Sequence, residues 1–267
     1  MTEARQEAGR RDGAEQVRRA PGTPCWVSLM AHGVTATQEF YQALFGWEFR
    51  PGPEQLGPYV RALLDGQEVA GIGQLPRGAR LQVAWTPYLA SDRVDRTADT
   101  VRVCGGTVAV GPLDAADAGR LAIASDPAGA VFGIWQGAAH LGAAVSGVPG
   151  APVWNELITR DTRSVATFYR YVFGYAEERA PTEGGVDRLA LLLDGKPVAT
   201  VTGVGTLPRD RGAHWLTSFG VSDIDASVGL VTRLGGRVVH PPAASDQGRA
   251  ATVADPEGAV FALVELG

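Results

Sequence analysis

Two residues make the best case for chemistry in this sequence. Glu156 lies in the stretch 153–159, where it shares a strand face with Trp154 and Ile158. A carboxylate among aromatic and aliphatic side chains suits general acid–base work, because desolvation favours its protonated form. His214 sits two residues before Leu216 on a later strand. Glu156 and His214 together would supply a proton acceptor and a group that orients it. Plainer roles stand beside these: a structural carboxylate bonded to backbone or an arginine, and a hydrogen-bonded strand-end histidine. Trp26, Ser28, Tyr88, Trp135 and Trp154 are the candidate ligand-binding residues, since planar side chains can stack a planar ligand. They could equally close a core. His32, His140 and His240 read as loop or linker residues. Arg120 and Arg249 each open a strand after a glycine, where pairing with an acid is the simpler use. No phosphate loop, G-x-S-x-G, C-x-x-C or H-E-x-x-H is present.

The elements that hold these residues come as repeats. Residues 23–47 and 151–175 align without a gap at an offset of 128, with seven of 25 positions identical, including Trp26/Trp154, Phe40/Phe168, Tyr41/Tyr169 and Gly46/Gly174. Each copy reads as a strand, an amphipathic helix, a glycine stop and a new strand. In the first copy, Thr35 and Gln38 form a capping-box pattern. Phe40, Tyr41, Leu44 and Phe45 make the buried stripe, and Gly46 is a left-handed stop. Strands are expected at 47–50, 59–64 and 68–74, with an Asp65-Gly66 hairpin. A second unit follows: a strand at 81–90, a helix marked by Val94, Ala98 and Val101, and strands at 107–110, 120–125 and 130–136. Asp126-Pro127-Ala128-Gly129 reads as a type I turn. Trp85, Gly105-Gly106, Gly119-Arg120 and Asp126-Pro127 reappear as Trp215, Gly235-Gly236, Gly248-Arg249 and Asp255-Pro256. The chain is therefore four βαβββ modules. It divides into a disordered tail over 1–22, domain 1 over 23–136, a small-residue linker over 137–150, and domain 2 over 151–267.

Composition narrows the function classes. The 267 residues are 45% hydrophobic and 20% charged, with 35 glycines and a net charge of −5. The chain can bury real cores, and its acidity argues against nucleic acid as a partner. No apolar run of about 18 residues spans a membrane, and the polar N-terminus has no secretory core. Cys25 and Cys104 read as free thiols in a reducing compartment, so a cytoplasmic monomer or homodimer that binds a small molecule is expected.

Paired βαβββ modules, the FY…FG helix end and the DP-x-G turn resemble the vicinal oxygen chelate superfamily, in particular its tandem two-domain glyoxalase-like proteins of actinobacteria. That group also holds glyoxalase I, extradiol dioxygenases and bleomycin-resistance proteins. The resemblance implies an α+β fold in which each domain curls its sheet into a cup with helices outside. It places metal ligands on the cup lining. Here those positions read Ser28, the stretch 69–73, Thr86 and Gly133 in domain 1. In domain 2 they read Glu156, the stretch 200–202, Leu216 and Ala262. One carboxylate cannot supply the three or four O or N ligands a divalent ion needs, so no metal and no cofactor are expected. Trp26, Ser28, Tyr88 and Trp135 then line the first cup, and Glu156 and His214 the second. The implied function is a metal-independent enzyme on a small organic molecule, by proton transfer, isomerisation, cyclisation or hydration, in bacterial specialised metabolism. The alternative is a binding protein of the bleomycin-resistance type.

Overall fold

The structure, a computed structural model, describes residues 18–76, 78, 81–179, 186–208 and 211–267. Four modules follow one another as the repeats require. The first is β1 (Pro24–Ala31), α1 (Val34–Phe45), β2 (Glu48–Pro51), β3 (Tyr59–Leu64) and β4 (Gln67–Gln74). The second is β5 (Trp85–Ala90), α2 (Val94–Val103), β6 (Thr107–Ala115), β7 (Gly119–Ser125) and β8 (Val131–Gly137). The third is β9 (Pro152–Thr159), α3 (Thr162–Phe173), β10 (Ala176–Arg179), β11 (Arg188–Leu193) and β12 (Lys196–Gly203). The fourth is β13 (His214–Val221), α4 (Ile224–Arg233), β14 (Arg237–Ser245), β15 (Gly248–Ala254) and β16 (Val260–Glu265).

Each domain is one eight-stranded sheet, ordered β2-β3-β4-β1-β5-β8-β7-β6 and β10-β11-β12-β9-β13-β16-β15-β14. The first strands of the two modules pair antiparallel at the centre, β1 with β5 and β9 with β13. The hairpins β3–β4 and β11–β12 turn on Asp65-Gly66 and Asp194-Gly195, all four at positive φ, as a type I′ turn demands.

Alternation gives each strand two faces with different fates. The convex faces carry the helices and pack across the domain boundary. Val27, Leu29, Tyr41, Trp47 and Trp85 of domain 1 share a core with Phe219, Phe261 and Leu263 of domain 2. Leu89, Phe132 and Ile134 share the other with Leu157, Tyr169 and Trp215. The two domains are thus one hydrophobic unit, and their concave faces are the cups.

The repeated tryptophan, tyrosine and aspartate knit this interface. Trp85 Nε1 donates to the Tyr41 hydroxyl at 2.9 Å, which donates to Asp255 Oδ2 at 3.1 Å. Trp215 Nε1 donates to the Tyr169 hydroxyl at 3.0 Å, which donates to Asp126 Oδ2 at 3.3 Å. In each chain the aspartate comes from the other domain. Burial pushes the Asp126 carboxyl up to about 6, against its hydrogen bonds to backbone, and raises that of Asp255.

Local differences from the expected pattern have physical causes. The strand expected at 81–90 begins only at Trp85, the first residue to pair with β1. The Thr35 capping box is absent: α1 starts at Val34 with Gly33 as its cap and no side-chain bond. Glu257 of the other domain takes that role, accepting the backbone N–H of His32 at 2.6 Å and of Gly33 at 2.7 Å. A carboxylate there also meets the positive end of the helix. The copy, α3, is capped in the ordinary way by Asp161.

The stretch expected to be a small-residue linker is a strap. Ala138, Ala143 and Ala144 donate backbone N–H groups to Ala118, Cys25 and Glu68 at 2.9, 2.7 and 2.8 Å. Its small residues let it lie flat. A Cβ on Gly142 (φ +113°) would sit 2.2 Å from the Cys25 carbonyl oxygen. Residues 1–17 of the expected tail lie outside the described residues. Gly22, at its end, is bonded to Ala90 and to the Tyr175 hydroxyl.

Candidate functional site

The register superposes the two cups residue on residue. In domain 1 one row runs Arg61, Gly71, Ser28, Thr86. Its counterpart in domain 2 runs Ala190, Thr200, Glu156, Leu216. The next row is Tyr59, Gly73, Met30 in domain 1, and Arg188, Thr202, Ile158, His214 in domain 2. Toward the other end of each cup, Trp26, Tyr88 and Gly133 face Trp154, Ser218 and Ala262.

Cup 1 brings Trp26, Ser28, Tyr88 and Trp135 together, as the alternation predicts. All four are buried. The expectation that a planar ligand stacks among them meets side chains that leave only about 40 Å³ between the rings, while a space of about 430 Å³ adjoins it outside, lined by Arg61, Glu68, Ala118 and His140. Tyr88 lies against Gly133, whose Cβ would stand 2.1 Å from the ring, and Tyr59 lies against Gly71, whose Cβ would stand 1.8 Å from the hydroxyl. The Tyr59 hydroxyl bonds Ser28 Oγ at 2.7 Å and accepts from Trp26 Nε1 at 2.9 Å. The strap lies across one side of the mouth, where Ala139 and His140 line the outer space with Arg61 and Glu68. His140 Nδ1 meets Glu68 at 2.8 Å, Glu68 takes Arg61 at 2.6 Å, and the His140 ring stands edge-on to Trp26 at 4.5 Å. His140 holds Glu68 below the usual carboxylate range, against the opposing effect of burial. Sequence reasoning missed Tyr59, Arg61, Glu68 and His140. Tyr59 and Arg61 were within reach, since they alternate in phase along β3; no local signal marked His140.

Cup 2 is open. Along β9, Asn155, Leu157 and Thr159 are buried, while Trp154, Glu156 and Ile158 on the concave side are only half-buried. The same split runs through β12 and the start of β13. Glu156 keeps 19% of its side-chain surface. Its Oε1 accepts from Arg188 Nη2 at 3.0 Å and from the Thr202 hydroxyl. Arg188 Nη1 reaches Asp246 at 2.5 Å. Among the described residues no hydrogen bond falls on Oε2, so the carboxylate is anchored by one oxygen and open at the other. Its surroundings are thus an ion pair with apolar neighbours, which is the arginine-bonded carboxylate that the sequence offered as the plainer role. The arginine comes from β11, one row away. Trp154 Nε1 donates to Thr200 Oγ1 at 2.9 Å. His214 stands at the end of the Arg188–Thr202–Ile158 row, with Nδ1 2.9 Å from the Gly212 carbonyl oxygen.

Residues 153–264 match the family model of the glyoxalase-like domain. Along nearly its full length the chain is similar to an anthracycline biosynthesis protein, DauV, of Streptomyces sp. (strain C5): 36% identical over 264 residues, covering 92% of this chain and 94% of that one. It is also similar to CFP32 of Mycobacterium tuberculosis, a protein named as a glyoxylase, at 35% identity over 91% of this chain and 95% of that one. This chain belongs to the vicinal oxygen chelate superfamily, as a tandem glyoxalase-like protein. Among solved structures, the 2,3-dioxygenase LapB from Pseudomonas sp. KL28 shares its fold, with a TM-score of 0.63 at 15% identity over 94% of this chain and 93% of that one.

The superfamily's metal does not fit this glyoxalase-like chain. Cup 1 offers Ser28, Gly71, Thr86 and Gly133, with tyrosine rings lying over both glycines. Cup 2 offers Glu156, Thr200, Leu216 and Ala262, and Glu156 is already bonded to Arg188. No group of three His, Cys, Asp or Glu side chains able to hold an ion occurs among the described residues. No helix among them is long and apolar enough to cross a membrane. Both cysteines are free, and burial pushes the Cys25 thiol up to about 12, where it is no nucleophile.

Proposed function

We propose that this glyoxalase-like protein is a metal-independent enzyme that acts on a small organic molecule in the cup of domain 2. Glu156 is the proton acceptor, and His214 at the rim is the second proton-handling group. The observation that carries this reading is the anchoring of Glu156: Oε1 is held by Arg188 and Thr202, while Oε2 takes no bond among the described residues. A base fixed by one oxygen and open at the other is oriented before the substrate arrives. Trp154 beside it supplies a stacking face. The reactions in reach are those a single positioned base can run: proton transfer, isomerisation, cyclisation or hydration. The similarity to anthracycline biosynthesis proteins of Streptomyces supports a place in bacterial specialised metabolism. Cup 1, filled and strapped, serves as the support on which the second domain is built.

The test is carbon-bound hydrogen exchange. A panel of small enolisable ketones and phenols is incubated with the protein in D₂O and read by mass spectrometry. Exchange above background that survives EDTA and is lost in Glu156→Gln is expected. Exchange undiminished in Glu156→Gln, or exchange that requires an added divalent ion, would overturn the reading.

A further inference from the structure

The space outside cup 1 is walled by both modules of the first domain and by the strap. One short 3-10 turn, Glu54–Leu56, brings Glu54 and Gln55 to it, and another, Ala116–Ala118, brings Asp117. The two turns hold the same place in successive modules, between the second and third strands. The floor consists of Arg61 on β3, Glu68 on β4 and His140 from the strap. At about 430 Å³ the space is of the size that takes a small ligand.

The polar groups of the floor satisfy one another, and those of the turns do not. Both Glu68 oxygens are taken, Oε1 by Arg61 at 2.6 Å and Oε2 by His140 Nδ1 at 2.8 Å. With its Nδ1–H given to a carboxylate, neutral His140 carries its lone pair on Nε2. The His140 side chain is only 12% exposed, and among the described residues no hydrogen bond falls on Nε2. Glu54 and Asp117 are exposed and have no ion pair among the described residues. Three carboxylates therefore share the lining with one guanidinium, which Glu68 already holds. The lining stays negative whether His140 is neutral or protonated, so it repels an anion. The open charged groups on the turns are acceptors, which a positively charged donor of several N–H bonds can satisfy together.

We propose that this space is a second binding site, for a small aliphatic amine in its ammonium form. Its N–H groups donate to Glu54, Asp117 and His140 Nε2, and its methylenes lie against Pro53 and Ala118. The site is separate from the cup of domain 2 and does not depend on what that cup does.

The experiment is isothermal titration calorimetry at low ionic strength and neutral pH with 1,4-diaminobutane and its uncharged analogue, 1,4-butanediol. One equivalent of the diamine should bind, roughly tenfold tighter than the diol or better. Glu54→Gln and Asp117→Asn should each weaken it about threefold or more. Glu39→Gln, which removes an exposed acid on α1 at the other face of the sheet, should leave it unchanged, and so should Glu156→Gln. On saturation the His140 Hε1 proton resonance, assigned with His140→Gln, should move while that of His32 stays in place. No saturable binding, equal affinity for diamine and diol, or the same loss in Glu39→Gln as in the two lining variants overturns the proposal. Binding that moves no His140 resonance puts the amine elsewhere and overturns it as well.

Discussion

Replacing Asp126 by Asn should reverse sign in its effect on stability between acid and neutral pH. The Asp126 carboxyl is buried at the seam between the domains. Its Oδ1 accepts backbone N–H groups of Ala128 at 2.9 Å and Ala130 at 3.0 Å, and its Oδ2 takes the Tyr169 hydroxyl at 3.3 Å. Burial outweighs these donors and lifts the group from 3.8 to about 6. A folded state that holds its proton more tightly than the unfolded chain is stabilised below the unfolded value. That contribution is lost as pH rises through about 6. A rise of about two units corresponds to ~3 kcal/mol, so ionised Asp126 costs the neutral protein roughly that much relative to acid. Asparagine keeps the acceptor for the two backbone N–H groups and carries no charge. Its amide, however, meets a Tyr169 hydroxyl that already accepts from Trp215, and the mismatch costs ~1 kcal/mol.

The variant should therefore be ~1 kcal/mol less stable than wild type at pH 4 and ~2 kcal/mol more stable at pH 7.5. For a chain of this size that gain is about 4–6 °C in melting temperature. Thermal melts from pH 4 to 8 measure it, and the two curves should cross at pH ~4.5. Any slope that persists in the variant belongs in part to Asp255, whose carboxyl is raised by the same cause. Parallel curves, or a variant less stable than wild type at pH 7.5, would refute the reasoning that burial dominates at this seam.

Other outcomes follow from the cups and their supports. Gly133→Ala should destabilise by ~1–3 kcal/mol, because the new methyl meets the Tyr88 ring. Adding Tyr88→Ser relieves that clash but empties a buried site, so the double variant should be less destabilised than the sum of the two single changes in chemical denaturation. Glu257→Ala should cost ~1–2 kcal/mol by leaving two backbone donors before α1 without their carboxylate, and Glu257→Gln should recover part of it. Thr202→Val removes one of the two donors to Glu156 and should lower kcat for any exchange reaction more than it raises KM. Protein purified without an affinity tag should contain well under one equivalent of Zn, Fe, Mn or Ni. A full equivalent lost on Glu156→Gln would contradict the donor count in cup 2.

The fold was legible because its signals are local or periodic. The 128-residue offset, the DG turns and the alternation of β1 and β9 each declare an element within a few residues. The aromatic lining of cup 1 followed from the same alternation. What that lining does was not legible, because a filled cup and an empty one have the same pattern of alternation. The difference lies in side-chain volume at Tyr88 against Ser218 and at Trp135 against Val264, which matters only once the register is known. The Glu257 cap and the Arg188 partner of Glu156 were hidden for another reason. Both are made by residues distant in the chain, 224 and 32 positions away, and no spacing rule reaches that far.

The repeat itself divides into two kinds of residue, and the division argues for where function lies. Positions that match between the copies, such as Trp85 and Trp215, Tyr41 and Tyr169, and Asp126 and Asp255, are spent on the buried chains that join one domain to the other. Among the positions that differ, Ser28 and Glu156, Tyr59 and Arg188, and Tyr88 and Ser218 face a cup. In domain 1 those differences close the cup: two rings lie over glycine, and a histidine from the strap sits across the mouth. In domain 2 they set a carboxylate and an arginine on the half-buried part of the face, beside the matching Trp154. A duplication that served stability alone would have no reason to keep one cup open, since a half-exposed tryptophan and a half-exposed ion pair add little to stability. The half-exposed carboxylate, arginine and tryptophan are what the packing of the molecule does not explain, and they are where the proposed function is placed.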